Sequence, residues 1–457
     1  MKPRRTHSAG RNRGETRLDQ PLSAPQLVEI EKPIYGGAFL ARVEGKAVFV
    51  PLALPGEQAS VRIAQDKRGY ATAETEEIVA ASAERIAPAC SHFGACGGCH
   101  YQHAGYATQV AFKQAILRET LERGGVQAPE VISVLAAADS QSWGYRNRIR
   151  LAFDAHGNPG YRGRRSHAVV PISECPIAAP VLVRAAQAFT EVARQLWPSL
   201  RPTEISLFCN ADETALLASV FIAGAAKHSI NNFASFAQAM AVRIPALKGI
   251  ELIAEGRSGD GRTPPSLRTV AQWGEPSLVY RTAGFDYRVD HGAFFQVNRW
   301  LVDGLVERVT AGRQGTLAWD LFAGVGLFAR KLTTSFTRVV AVESAPTAIA
   351  ALKENLRGTT GSAVCASTLD FLRKGLRSDR PDLIVVDPPR TGLGAEITTL
   401  LAGVAAPALT YVSCDPATLA RDLRALIACG YRIESLTLAD LFPQTFHLET
   451  VVDLRCS

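Results

Sequence analysis

Apolar and polar positions keep one rhythm in the first part of the chain and change it later. Between Gln26 and about Glu77 the period is two. Leu27-Val28-Glu29-Ile30-Glu31, Ala47-Val48-Phe49-Val50-Pro51 and Ala59-Ser60-Val61-Arg62-Ile63 read as short strands, parted by turns at Tyr35-Gly36-Gly37 and Pro55-Gly56-Glu57. So many short strands in so small a span predict a closed barrel, because closure removes exposed edges. Tyr101 to Gly124 follows a helical period, with Val110, Ile116, Leu117 and Leu121 on its apolar side and Gly124-Gly125 as its stop. Tyr145 to Leu151 returns to period two, which sets Arg146, Arg148 and Arg150 on one strand face. Residues 180–275 mix both patterns and carry no chemical motif. From about residue 280, β-branched runs alternate with helical stretches, the pattern of a parallel sheet with crossover helices.

Composition divides this pattern into parts. At 457 residues the chain exceeds one ordinary domain, and 47% hydrophobic residues suffice for several cores. We expect a basic tail over 1–22, a barrel over 23–84, a central α/β domain over 85–278 and a Rossmann-like domain over 279–457. The net charge of +7 is concentrated in the tail, where Lys2, Arg4, Arg5, Arg11, Arg13 and Arg17 face only Glu15 and Asp19. Such charge suits a phosphate backbone and equally suits a solvated end. Lys46, Arg62, Lys67, Arg68 and Tyr70 on the barrel, and Arg162, Arg164, Arg165 and His167 beyond it, extend the same expectation. No apolar run of about 18 residues suggests a membrane span, and the N-terminus lacks a secretory apolar region. A cytoplasmic protein, monomeric and without a membrane partner, is expected.

The candidate chemistry lies at strand ends and among the cysteines. Nine cysteines is an odd number, which argues against a fully paired disulfide framework. Cys90, Cys96 and Cys99 cluster in Cys96-Gly97-Gly98-Cys99, and Cys175 precedes a proline. Three clustered thiols and one distant thiol resemble iron–sulfur ligation more than the paired knuckles of zinc sites. Cys414 follows the apolar run Leu409 to Val412 and is stopped by Asp415-Pro416, so its thiol reaches the end of a strand. Leu383-Ile384-Val385-Val386 likewise runs into Asp387-Pro388-Pro389-Arg390. Asp320 and Phe322 lead into Gly324-Val325-Gly326, and the next strand ends in Glu343, 19 positions after Gly324. Glycines let a ligand approach such a turn, and an acid ending the second strand accepts from ribose hydroxyls. The loop alone also satisfies a dinucleotide fingerprint. Its initial Asp320 and the later Asp-Pro-Pro favour S-adenosylmethionine instead.

Taken in order, Phe295-Gln296-Val297-Asn298, the loop from Asp320 to Gly326, Asp387-Pro388-Pro389-Arg390, Ser413-Cys414-Asp415-Pro416 and Phe442-Pro443-Gln444-Thr445 with His447 and Glu449 resemble the bacterial RNA (uracil-5-)-methyltransferase family, in its 23S rRNA branch. The resemblance implies an OB-like TRAM barrel, a central α/β domain with a [4Fe–4S] cluster on Cys90, Cys96, Cys99 and Cys175, and a class I methyltransferase domain. It implies Cys414 as nucleophile and Glu449 as base, with Gln296, Phe322, Gly324, Gly326, Glu343 and Asp387 around S-adenosylmethionine. The implied reaction is methylation of a 23S rRNA uridine at carbon 5. Methylation of tRNA, or an RNA-binding maturation factor with impaired catalysis, is the alternative. Ala323 and Leu327 depart from the family's pattern, which has Cys and a polar residue there.

Overall fold

The computed structural model describes residues 24–224, 230–256, 266–375 and 380–456, so the basic tail expected over 1–22 lies outside the described residues. The chain forms two compact units. One holds the described residues up to Ile34 together with Ala38–Ala83, and the other holds Tyr35–Gly37 and the residues from Glu84 onward.

In the first unit β1 (Gln26–Pro33), β2 (Ala38–Val43), β3 (Lys46–Pro51), β4 (Gln58–Asp66) and β5 (Ala71–Ala80) close a barrel in the order β1-β2-β3-β5-β4. The period-two pattern is the reason: Val28, Ile30, Val48, Val50, Val61 and Ala73 are all buried inside. Glu57 is fully buried, and its carboxylate accepts from the Leu54 N–H at 2.7 Å and the Ser82 N–H at 3.1 Å. A buried carboxylate is tolerated there because backbone donors satisfy it.

The second unit opens with α1 (Tyr106–Arg123) and the short strand β6 (Ser133–Leu135). A seven-stranded sheet follows, built from β7 (Arg148–Phe153), β8 (Pro159–Arg162), β9 (Val169–Pro171), β10 (Pro202–Cys209), β11 (Leu216–Ala223), β12 (Leu247–Glu255) and β13 (Leu267–Gly274). Its order is β13-β12-β11-β10-β7-β8-β9, and α2 (Pro180–Leu196) and α3 (Phe233–Arg243) share a core with it. A hairpin of β14 (Ser277–Thr282) and β15 (Phe285–Asp290) leads into the C-terminal part.

There α4 (Val302–Thr310), β16 (Gly315–Leu321), α5 (Leu327–Leu332), β17 (Phe336–Glu343), α6 (Pro346–Asn355), β18 (Gly361–Cys365), α7 (Thr368–Gly375), β19 (Leu383–Val386), α8 (Gly394–Val404), β20 (Ala408–Ser413), α9 (Pro416–Ala428), β21 (Tyr431–Ala439) and β22 (Glu449–Cys456) alternate. The strands form an eight-stranded sheet in the order β18-β17-β16-β19-β20-β22-β21-β6. From β18 to β20 all neighbours are parallel, while β22 is antiparallel to both β20 and β21. Every residue of β19 and of β20 is buried, as befits strands covered on both faces. The expected barrel and Rossmann-like sheet are therefore present. The Fe–S site expected in the central α/β domain is not: among the described residues, no group of three or more His, Cys, Asp or Glu is disposed to hold a metal ion. No helix of the described residues is long and apolar enough to cross a membrane.

One buried acid joins three elements behind the sheet edge. Asp422 on α9 is 1% exposed, and its Oδ2 accepts from the Leu393 N–H at 2.7 Å and from the Tyr411 hydroxyl at 2.8 Å. Removing it strands two buried donors. Asp422→Ala is expected to lower the unfolding free energy by about 3 kcal/mol, read as a lower urea midpoint, with Asp422→Asn losing less. An unchanged midpoint for Asp422→Ala rejects this linkage.

Candidate active site

Because β16, β17, β19 and β20 are parallel, their C-terminal ends open on one edge of the sheet. Chain order runs outward in both directions from the β16–β19 pair, making a topological switch point, where open α/β sheets leave a crevice. Asp320 lies in β16, Glu343 ends β17, Asp387 follows β19 and Cys414 follows β20. Glu449 begins β22. Ser413, the last residue of β20, pairs with Thr450, so Cys414 lies one residue past the paired register and Glu449 one residue before Thr450, close enough for the Glu449 carboxylate to act on the thiol.

The turn after β16 is shaped for a close ligand. Phe322 takes φ +67°, a left-handed value that a side chain rarely adopts, and Gly324 and Gly326 take +56° and +90°. A Cβ on Gly326 would lie 2.6 Å from Leu352 Cδ1, whereas one on Gly324 would meet nothing within 4 Å. The turn is held by Glu343, whose Oε2 accepts from the Gly324 N–H at 2.8 Å and whose Oε1 accepts from the Ser344 and Ala345 N–H groups, each at 2.6 Å. Asp320 is fully buried. Its Oδ2 accepts from the Ala329 N–H at 2.8 Å, and its Oδ1 has no hydrogen-bond partner.

This donor and acceptor set fits S-adenosylmethionine, whose ribose hydroxyls can donate to Glu343 and whose cationic groups suit a row of acids. Leu327 is buried in the core beneath the turn, and its carbonyl accepts from the Tyr287 hydroxyl at 3.0 Å. The departure at that position is therefore a packing choice. Gln296 is buried in the segment after β15, where Asn147 Nδ2 donates to its carbonyl at 2.8 Å. Two residues on, Asn298 Nδ2 donates to the Leu441 carbonyl at 3.1 Å.

Electrostatics at this edge are dominated by burial and like charge. Burial pushes the Asp320 carboxyl up to about 8, with Asp387 and Glu343 adding repulsion. Burial likewise raises Asp387 to about 7. Glu449 is 4% exposed and is pushed well above the usual carboxylate range by burial and by Asp387, against the pull of Arg390. Two carboxyls that repel each other titrate as a pair and hold a proton to higher pH than either would alone. The Cys414 thiol is pushed up to about 12 by burial, then by Glu449 and Asp387, with Arg390 opposing.

The loop that delivers Glu449 is held by α1 and by the segment before it. Lys113 and Asp440 form an ion pair at 2.5 Å with neither side chain exposed, and Lys113 Nζ also donates to the Phe442 carbonyl at 2.9 Å. Gln109 and Gln444 bond reciprocally, Nε2 to Oε1 at 2.8 Å and backbone N–H to Oε1 at 2.9 Å. The His100 and Tyr101 N–H groups both donate to the Gln444 carbonyl, at 2.9 and 3.1 Å. Gln444 itself sits at φ +68°, so these bonds hold a strained residue. His447 is driven down to about 3 by burial and then by Arg390, and its neutral Nδ1 lies 3.0 Å from an Arg390 nitrogen. The roles of Lys113 and Gln109 are not among the sequence expectations. Their signal is polar residues recurring at i, i+4 on the face that also carries Ile116 and Leu117.

The cysteine expectation is corrected. Cys90, Cys96, Cys99 and Cys175 line one cavity of about 240 Å³ with Arg146, Tyr161 and His447. Among the described residues they nonetheless do not form a metal-holding group. Cys96 Sγ accepts from the Gly98 N–H at 3.4 Å, Cys175 Sγ lies 3.8 Å from the Tyr161 hydroxyl, and burial raises all four thiols. The [4Fe–4S] cofactor and the metal-binding role of these four residues are therefore not supported. Arg148 lies 4.3 Å from the Phe208 ring and donates to the Ala293 carbonyl, Arg150 lies over Phe221 and pairs with Glu204, and Arg146 lies 5.9 Å from the Phe442 ring.

Comparison with known proteins agrees with this layout. The profile of the tRNA (Uracil-5-)-methyltransferase family matches residues 371–456, and that of the TRAM domain matches residues 25–75. The chain is 33% identical over 438 residues to the 23S rRNA (uracil(1939)-C(5))-methyltransferase RlmD of Halomonas elongata, covering 92% of this chain and 87% of that protein. It is 30% identical over 443 residues to an uncharacterized RNA methyltransferase of Nitratidesulfovibrio vulgaris, covering 91% and 93%. The crystal structure of Pyrococcus abyssi tRNA (uracil-54, C5)-methyltransferase in complex with S-adenosyl-L-homocysteine superposes with a TM-score of 0.73 at 23% identity, covering 93% of this chain and 99% of that one, a likeness of fold. A TRAM barrel, a methyltransferase sheet with its acids at the switch point, and relatives at this identity over nearly the whole chain make one assignment: the chain belongs to the TRAM-containing bacterial RNA uracil-5-methyltransferases and methylates carbon 5 of uridine in RNA from S-adenosylmethionine.

Proposed function

We propose that methylation proceeds through a transient bond between Cys414 Sγ and carbon 6 of the uracil, with Glu449 as the base that ends it. Carbon 5 of uracil is a weak nucleophile. Addition of the thiolate to carbon 6 sends the electron pair of the carbon 5–carbon 6 double bond toward carbons 5 and 4, leaving carbon 5 enolate-like. Carbon 5 then takes the methyl group that S-adenosylmethionine supplies; the pair of the sulfur–methyl bond stays with the donor's sulfur, and S-adenosylhomocysteine is the leaving group. Glu449 accepts the proton from carbon 5, the double bond re-forms, and the carbon–sulfur bond breaks to return the thiolate. Cysteine suits both halves because thiolate is a strong nucleophile and a competent leaving group. The observation that carries this reading is the nearness of Cys414, just past the Ser413–Thr450 pair, to the Glu449 and Asp387 carboxyls, at the edge where the β16 turn fits the methyl donor. A uridine stacked in a helix cannot reach such an edge, so the target base is extruded or already unpaired.

Two RNA substrates have support from different findings. The profile matching the catalytic sheet is named for tRNA enzymes, which favours the tRNA alternative. The Halomonas elongata relative is named for 23S rRNA, which supports the ribosomal reading. Mass-spectrometric mapping of 5-methyluridine in both RNA pools, from cells with and without the gene, decides between them.

The catalytic assignment makes two predictions. Cys414→Ala abolishes methyl transfer while leaving S-adenosylmethionine and RNA affinity within about twofold of wild type. Glu449→Gln accumulates a protein–RNA adduct that survives denaturing electrophoresis. Release of methylated RNA by Glu449→Gln at the wild-type rate would remove Glu449 from the role of base.

The raised thiol generates a prediction with a definite sign. Both active forms, thiolate and carboxylate, are the deprotonated ones, and both groups titrate above their ordinary values. Alkylation of Cys414 by iodoacetamide, followed at that peptide by mass spectrometry, should therefore rise with pH and reach no plateau below about pH 9. A sulfonium cation beside the acids favours the deprotonated forms, so S-adenosylmethionine should move the profile to lower pH. S-adenosylhomocysteine, which lacks that charge, should move it less. Equal shifts from the two ligands contradict the electrostatic account.

A further inference from the structure

The barrel carries an aromatic pair that its own core does not use. Along β3 the buried Val48 and Val50 point inward, so Phe49 between them points out. The Phe49 ring stacks on Tyr70, with centroids 5.1 Å apart and planes 22° from parallel. Tyr70 closes the tight hairpin between β4 and β5, where the Lys67 N–H donates to the Tyr70 carbonyl at 2.9 Å. Lys67 Nζ lies over the Tyr70 ring, 5.8 Å from its centroid. Both rings are half-buried, and Lys67 and Arg68 at the hairpin tip are exposed.

The charges around this pair are unequal in use. Lys46 is paired with Asp66 and Arg62 with Glu76, so two of the cations expected from the sequence to face RNA are already neutralised by acids of the barrel. Among the described residues, Lys67 and Arg68 are paired with no acid. The same hairpin therefore presents a flat π surface and two uncompensated positive charges within four consecutive residues. That combination matches unpaired RNA, in which a base supplies a π face and its flanking phosphates supply negative charge.

We propose that Tyr70, backed by Phe49 and flanked by Lys67 and Arg68, is a stacking platform for an unpaired nucleobase of the RNA substrate. This rests on the reading that the substrate is RNA and adds to it a second contact, on the barrel. The incoming base stacks on the face of Tyr70 now covered by Lys67, and the displaced ammonium moves to an adjacent phosphate. Phe49 keeps the Tyr70 ring in place. The contact reads no sequence, because every base has a π face. It raises the affinity for RNA with unpaired segments and leaves the chemical step alone.

The full-length protein tests this with a fluorescein-labelled single-stranded RNA 12-mer, by anisotropy across a salt series, and with methyl transfer to RNA from cells lacking the gene. Tyr70→Ala is expected to weaken binding about tenfold with an unchanged salt slope, raising KM and leaving kcat unaltered. Tyr70→Phe should restore the affinity. Lys67→Gln with Arg68→Gln should instead flatten the slope of log affinity against log salt by about 1.4. Binding by Tyr70→Ala within twofold of wild type overturns the platform, as does an equal loss in Tyr70→Phe. A wild-type protein that methylates RNA while Tyr70→Ala binds normally retires this surface only. A wild-type protein that binds through Tyr70 yet transfers no methyl group retires the proposed reaction and leaves the surface standing.

Discussion

The chemistry of this protein depends on crowding negative charge where water is scarce. Asp320, Asp387 and Glu449 meet at one edge of the sheet, each raised above its ordinary carboxylate range chiefly by burial. Like charges withdrawn from water repel strongly, so the site holds protons that the same groups would release in solution. The thiol beside them is suppressed for the same reason. The repulsion is relieved by a positive charge, and the methyl donor of this family is itself a cation. The acids thus favour a cation beside them, and Arg390 offsets only part of the repulsion.

Keeping such a site in register falls to elements distant in the chain. The loop carrying Gln444 and His447 toward Glu449 is anchored by Lys113 and Gln109 on α1, which lie 327 and 335 positions from their partners Asp440 and Gln444. A fully buried ion pair gives direction more than net stability, since desolvation offsets most of the attraction. The reciprocal glutamine bonds add orientation. Asn298 ties the Gln296 segment to the carbonyl of Leu441, so the segment after β15 and the stretch leading to Glu449 lean on each other.

Much of this was legible in the sequence because it is local. Period-two alternation in β1, β3 and β4 marks inward residues directly, and the turn from Asp320 to Gly326 announces itself by glycines after a buried strand. Cys414 and Asp387 sit where apolar runs are cut by proline, so their place at strand ends needs no knowledge of the fold. What was not legible depends on partners far away. Arg146, Arg148 and Arg150 have the spacing of a solvated row, yet Phe442, Phe208 and Phe221 lie beside them once the sheet has formed. The cysteine cluster shows the same limit. Its spacing suggests convergence on a metal, whereas the described side chains share a cavity without forming a ligand set. Lys113 looks like a surface lysine until Asp440 stands opposite it.

The short strand β6 has a consequence for how the protein is made. It caps the sheet by pairing in parallel with β21, three hundred residues later in the chain, and α1 just before it packs on α9. During synthesis the N-terminal barrel closes on neighbouring strands as soon as it leaves the ribosome. The helix and strand that follow must wait for the last hairpin. Until then they are an unpaired edge and an uncovered apolar face, the features most prone to capture by other chains. Slow, late closure of the catalytic unit is the kinetic counterpart of an active site assembled from both ends of its sequence.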